Sequence, residues 1–224
     1  MSSIIALPTK PEEHWLSGVE QRFLIHNVPW SGYIAIGEAL RDRPGIRITF
    51  DRGNLELMTT AAEHEHQKHL LALLLHVLAE ELEVPIAGFG STTYQREDLD
   101  RGLEPDECYY IANFSGVRGR KRIDLSRDPP PDLALEIEVS RSALSRMNIY
   151  AALGVPEIWR FDGSKLRVYQ RDLKGNYKEQ SRSPTFPSFP LKELVRFVRR
   201  GEKEDDTSIA RAFRQWLKER LPAR

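Results

Sequence analysis

Residues 131–139 read PDLALEIEV. Leu133, Leu135, Ile137 and Val139 alternate with Ala134, Glu136 and Glu138, the two-residue period of a strand that buries one face. Alternation sends Glu136 and Glu138 to the same face. Two carboxylates side by side on a mostly buried sheet are costly to desolvate unless they are paired or bound to a cation. A second apolar and aromatic run, Cys108 to Ile111, is opened by Pro105-Asp106. If the two strands pair, Asp106 joins Glu136 and Glu138 at one strand end. That trio predicts a hard-cation site, with Mg2+ as first candidate and Mn2+ as a substitute.

C-terminal to this stretch, 140–153 has helical spacing, with Ser140 or Ser142 able to cap its start and Gly154 to end it. Arg141 and Arg146 follow the acidic strand closely. Arg146 either pairs with Glu138 or faces substrate. Glu157–Phe161 reads as a strand with Trp159 in the core, and turns at 162–165 and 174–176 predict two hairpins. A Pro/Ser linker (181–190) and two amphipathic helices (191–199 and 207–221) complete the chain.

On the N-terminal side, 113–131 is a polar loop carrying Arg118, Arg120, Lys121 and Arg122, a cluster suited to phosphate contacts or simply to solvent. Residues 60–83 form the strongest helix pattern, with Thr60-x-x-Glu63 as a capping box. Its His64, His66 and His69 are read as surface histidines rather than a zinc set. Residues 87–94 read as a strand. Arg47–Phe50 and Leu55–Met58 flank a turn and predict a hairpin, with Glu56 either a further acidic ligand or, as the alternation of exposed strands favours, facing solvent. Residues 33–40 are helical with Ser31 as N-cap, and 23–28 form a short strand that packs on something, a second subunit included.

Pro105-Asp106 followed by Glu136-x-Glu138 resembles the PD-(D/E)XK nuclease motif. PDLALEIEV followed by GVPEIWRFDG (154–163) resembles the Uma-two family of restriction endonucleases, over roughly residues 30–170. The resemblance implies a restriction-endonuclease-like α/β (α+β) fold, a mixed β-sheet flanked by helices, with C-terminal helices added. It implies a metal-dependent endonuclease acting on DNA, with Asp106, Glu136 and Glu138 as metal ligands and these three plus Arg146 as catalytic residues. The superfamily's strand Lys is Glu138 here. In the resembled family a Lys on the next helix, four residues before a Tyr, takes its place; Arg146 and Tyr150 hold those positions. Arg retains the charge but cannot act as a base. A family helix facing the acidic centre makes Glu63, His66 and Lys68 candidate nucleic-acid contacts. The alternative is a nuclease-fold nucleic-acid-binding or regulatory protein that has lost catalysis. A homodimer is expected because duplex DNA has two strands to cut.

The 224 residues suit an arm (1–30), a core domain (31–180) and a C-terminal linker with helices (181–224). Thirty-three basic residues balance 33 acidic ones, so any nucleic-acid surface must be local. The single Cys108 excludes an intramolecular disulfide, fits a reducing cytoplasm, and reads as a buried structural thiol. No apolar run is long enough for a membrane span, and the first 15 residues lack the pattern of a signal peptide.

Overall fold

The structure is a computed structural model that describes residues 20–43, 45–138 and 140–220. In chain order the strands and helices are β1 (Gln21–Ile25), α1 (Trp30–Leu40), β2 (Ile46–Asp51), β3 (Asn54–Thr59), α2 (Ala62–Glu81), β4 (Ala87–Gly88), β5 (Tyr94–Arg96) and β6 (Arg101–Leu103). There follow β7 (Glu107–Tyr110), α3 (Phe114–Val117), β8 (Leu133–Ile137), α4 (Arg146–Leu153), β9 (Glu157–Phe161), β10 (Leu166–Arg171), β11 (Tyr177–Gln180), α5 (Lys192–Val198) and α6 (Asp206–Arg220). The strands form two sheets. One has the order β1-β3-β2-β6-β5 and is antiparallel; the other has the order β11-β10-β9-β8-β7-β4 and is mixed, because β8 and β9 run parallel. The fold is therefore α+β, with the acidic hairpin β7–β8 in the mixed sheet as expected and a second sheet beside it.

The mixed sheet is covered on both faces. Leu133, Leu135, Ile137, Trp159 and Val168 pack against α2, α5 and α6, through Leu70, Leu74, Phe197 and Phe213 among others. On the opposite face Cys108, Tyr110, Ala134 and Ile158 meet Ile149, Tyr150 and Leu153 of α4. Glu136 belongs to this second face by alternation, which is why it looks at α4. The smaller sheet buries Ile48, Phe50 and Leu55 under Tyr33 of α1. The β2–β3 turn needs Arg52 at φ 48° and Gly53 at φ 81°, the paired positive values of a two-residue hairpin turn.

Several local expectations change. Residues 87–94 are not one strand: β4 joins the mixed sheet and β5 the other, and the chain changes sheet through Gly90 at φ 58°. Ser31 lies inside α1, which starts after Pro29. Thr60 does not cap α2; the N-cap is Ala61, and the Thr60 hydroxyl donates to Gly45 O at 3.4 Å. The helix expected from Ser140 starts at Arg146, because Ser140, Ser142 and the Ala143 N–H are committed to Glu20 and Glu56. Val139 lies outside the described residues. The 181–190 linker is packed, with Ser183, Phe186 and Phe189 buried. Glu157 fixes it by accepting hydrogen bonds from Ser183 Oγ, Thr185 Oγ1 and Trp159 Nε1, each at 2.6 Å. The two C-terminal helices cover α2, and Arg214 pairs with Glu80 and Glu81 at 2.8 and 3.0 Å.

Gly102 of β6 lies under the Tyr33 ring, which stacks on Phe50 with centroids 4.6 Å apart. A Cβ there would sit 2.9 Å from Tyr33 Cζ and closer still to the hydroxyl. Gly102→Ala should therefore destabilise the protein by about 1–3 kcal/mol through overpacking, read by urea unfolding; an unchanged midpoint would mean that Tyr33 moves aside freely.

Candidate active site

The β7–β8 ladder pairs Glu107 with Leu135, so the next step places Asp106 beside Glu136. Asp106 Oδ2 accepts the Ile137 N–H at 2.7 Å, which locks the two strand tips together. Glu136 points to α4, where Arg146 Nη2 reaches Oε1 at 2.7 Å and the Tyr150 hydroxyl donates to the same oxygen. Arg146 also donates to Glu104 O at 2.7 Å and to the Thr49 hydroxyl, both in or beside the smaller sheet. One guanidinium thus bridges the two sheets. The expected pairing of Arg146 with Glu138 does not occur.

Glu138 leaves the trio. Strand β8 stops at Ile137, the Glu138 N–H bonds Phe161 O at 2.7 Å, and its half-exposed carboxylate pairs with Arg160. The strand period that put Glu136 and Glu138 side by side ends one residue too early. Among the described residues no three His, Cys, Asp or Glu side chains converge as a metal cage.

The expected helix contact is made by a different residue. His64, fully buried, lies 3.1 Å from Glu20 through Nδ1 and 3.0 Å from Asp106 through Nε2, the second contact out of line for a hydrogen bond. Glu63 is exposed and holds Gln67 at 3.0 Å; exposed His66 lies against Gly201; Lys68 pairs with Glu65. Glu56 is buried rather than solvent-facing: it receives Arg22 at 2.8 Å, and the Ser142 hydroxyl and Ala143 N–H each at 2.7 Å. Arg22 also holds Glu20 at 2.8 Å and the Ser140 hydroxyl at 2.7 Å. Glu20 and Arg22 carry no signal in the sequence, and the surface readings of Glu56 and His64 are overturned by their burial. His64 carried a usable signal, since it shares a helical stripe with Leu71 and Leu75.

Burial shapes the charges. It pushes the Glu136 pKa up, aided by the neighbouring Asp106 and opposed by Arg146. For Asp106 burial also favours the neutral form, but His64, Arg146 and the Ile137 N–H outweigh it and hold the carboxyl below its ordinary range. Burial would depress His64, yet Asp106 and Glu20 raise it to about 9. Cys108 is pushed up to about 12 by burial and donates to Gly90 O at 3.2 Å, a structural thiol as expected.

Beside Glu136 opens a cavity of about 380 Å³, lined also by Glu138, Tyr150 and four arginines, Arg22, Arg141, Arg146 and Arg160. Arg141 is exposed and makes no ion pair among the described residues. The sequence match of the family model described as "Putative restriction endonuclease" (Uma2) spans residues 34–198, well over half of the chain. The chain belongs to this family. No curated protein matches the sequence. A solved structure described as "a putative nuclease belonging to DUF820 from Anabaena variabilis" is similar at 14% identity over 67% of this chain and 90% of that one, with a TM-score of 0.48.

Within this Uma2 chain the residues fit a divalent ion in kind rather than as a cage. Asp106 has both oxygens engaged. Glu136 and Glu138 each give one oxygen to an arginine, and their second oxygens have no hydrogen bond among the described residues. Mg2+ usually takes one or two carboxylates and keeps several waters. The GVPEIW run turns out to be scaffold: Gly154 ends α4 at φ 85°, Glu157 clamps the 183–185 segment and Trp159 is core. Lys121 and Arg122 line a separate groove with Arg41, Arg43 and Arg47; Arg118 lies over Phe114, and Arg120 pairs with Asp128 at 3.4 Å. No helix among the described residues is long and apolar enough to cross a membrane.

His64 gives a pH prediction. Its folded pKa lies above its unfolded value of 6.5, so its stabilisation is fully present below pH 6.5 and disappears as pH rises through about 9. The melting temperature should fall across that window by the equivalent of at most roughly 3 kcal/mol. His64→Gln should flatten the profile while lowering its acidic end. Parallel profiles for the two proteins would rule out a charged His64.

Proposed function

We propose that this protein hydrolyses phosphodiester bonds of DNA as an endonuclease, in the cavity beside Glu136. The observation that carries the reading is the meeting of Asp106 and Glu136 at adjoining strand tips, with Arg146 clamped to Glu136 and the opening rimmed by arginines. Membership of the Uma2 family supports it.

In this reading Arg22, Arg141 and Arg160 draw the phosphate in, since guanidinium groups match phosphate oxygens in pairs. Arg146 steadies charge that develops on the phosphoryl oxygens. Glu138, half-exposed in the cavity with one oxygen free of Arg160, is the candidate base for the attacking water. Tyr150 fixes the orientation of the Glu136 carboxylate. The proposed cofactor is Mg2+, with Mn2+ able to substitute; Glu136 would hold it through its free oxygen, with Asp106 as a positioning residue behind it. When bound it supplies Lewis-acid polarisation of the phosphate. Cutting both strands asks for two such sites, so we propose a homodimer. Among the described residues the exposed Phe23, Leu24 and Ile25 on edge strand β1 form a contiguous apolar surface suited to it.

A second reading is a nucleic-acid-binding module without catalysis. It is favoured by the internal cations His64 and Arg146, which already neutralise Asp106 and Glu136. Supercoiled plasmid incubated with Mg2+ or Mn2+ separates the two. Nicking by wild type, reduced at least a hundredfold in Glu136→Gln with DNA binding retained, is the expected result. Intact plasmid with tight binding would establish the second reading instead. Arg146→Lys should lower cleavage tenfold or more while keeping part of the ion pair with Glu136, because Lys loses the forked geometry.

A further inference from the structure

A groove of about 1010 Å³ runs between the β10–β11 hairpin and α5. Six cations line it, Lys165, Arg167, Arg182, Lys192, Arg196 and Arg199, against one acid, Glu179. The chain as a whole is neutral, so this is a local concentration of positive charge. Three of the six are balanced by acids: Lys165 by Glu179 at 3.4 Å, Arg167 by Asp162 at 2.6 Å and Arg196 by Glu193 at 2.8 Å. The other three are not. Arg182 and Arg199 touch only neutral carbonyls, those of Pro187 and Ser164, both at 3.1 Å, and Lys192 has no partner among the described residues. All three are exposed. The groove therefore holds three uncompensated charges on the C-terminal side of the molecule, where no candidate site residue had been expected.

The groove is also connected to the acidic cavity. Arg167, one of its lining residues, stands opposite Arg160 in the antiparallel β9–β10 ladder. Arg160 in turn lies beside Glu136 in the parallel β8–β9 ladder and lines the cavity. Register partners share a face, so Glu136, Arg160 and Arg167 form a row across three adjoining strands. Two strand spacings separate its ends, about 10 Å. Arg160 and Arg167 are each paired with an acid, Glu138 and Asp162, so the row links the two sites by position, and the uncompensated charges lie beyond it in the groove. The groove lining contains no aromatic side chain on which a base could stack. Its serines, Ser164, Ser181 and Ser188, and its cations are suited to phosphate oxygens.

We propose that the groove binds the phosphate backbone of DNA flanking the segment held in the cavity, independently of sequence, with Arg182, Lys192 and Arg199 as the main contacts and Arg167 as the bridge. This rests on the DNA reading above. It assigns a binding role to α5 and the β10–β11 hairpin, which otherwise serve as cover for the core.

The test uses the full chain and two labelled duplexes of unrelated sequence, one long (about 30 bp) and one short (about 8 bp, or roughly 27 Å), in EDTA. Fluorescence anisotropy gives Kd across a salt series. For Arg182→Ala/Lys192→Ala/Arg199→Ala, binding to the long duplex should weaken at least tenfold. The slope of log affinity against log salt should shrink by about 2–3, near 0.9 per lost phosphate contact. Affinity for the short duplex should stay within twofold. Should the triple variant melt early, Lys192→Glu, at an exposed residue without partner, should still lower the slope by about 1. If Arg141→Ala weakens both duplexes while the groove variants bind like wild type, the groove assignment is wrong and the cavity reading stands. Equal weakening on both duplexes by the groove variants would also overturn it. If wild type binds neither duplex, both proposals fall.

Discussion

The interaction on which the arrangement depends is the buried ion pair between Arg146 and Glu136. Arg146 springs from the first turn of α4, pairs with a carboxylate in the mixed sheet, and donates to Thr49 and to Glu104 O in the other. Two sheets that already share a hydrophobic cluster, through Tyr94 and Leu103 on one side and Cys108, Tyr110 and Ala134 on the other, are tied at this polar point as well. A buried guanidinium is tolerable only when its charge and most of its donors are satisfied, and here three different elements supply the partners. The constraint is reciprocal: Glu136 keeps its orientation only while α4 is docked.

Around that pair the protein has built a chain of alternating charges. Glu56, Arg22, Glu20, His64 and Asp106 follow one another in contact, reaching from β3 and the segment before β1 to the tip of β7. The three buried carboxylates of this chain, with Glu136 beside Asp106, would repel one another strongly in a medium of low polarity. Interleaved cations convert that repulsion into attraction and leave each acid with a fixed direction. The same chain explains why α4 starts late. The serines that a helix reading assigns to capping are taken by Glu20 and Glu56, so residues 140–145 stay irregular and open the cavity beside Glu136.

The chemistry thus sits at a seam. One side is the tip of an acidic hairpin, rigid because its strands are central in a six-stranded sheet. The other is a rim of arginines contributed by β1, β9, α4 and the segment before it. Positioning is tight where the carboxylates are and looser at the rim, where Arg141 is exposed and makes no ion pair among the described residues. That division suits the proposed role, in which the charges are held in place while a phosphate backbone enters.

The sequence by itself determined the local elements and the acidic pair. Period-two alternation in 133–139 and the apolar run 108–111 identified the hairpin, the leucine spacing of 70–78 identified α2, and the runs that resemble the Uma-two family identified the fold. These signals are local, and each is repeated over several residues. The tertiary structure alone decided which charges meet. Whether Glu138 meets Asp106 and Glu136 turns on where the strand ends, at Ile137, and on Arg160 of another strand, which takes the Glu138 carboxylate. Whether His64 or His66 enters the centre follows from how α2 rolls on the sheet. Glu20, Arg22 and Glu56 find their partners across separations of 34 to 120 residues. A carboxylate on a strand has the same one-dimensional signature whether its neighbour is water or arginine, and only the docking of distant elements supplies the partner that makes its burial affordable.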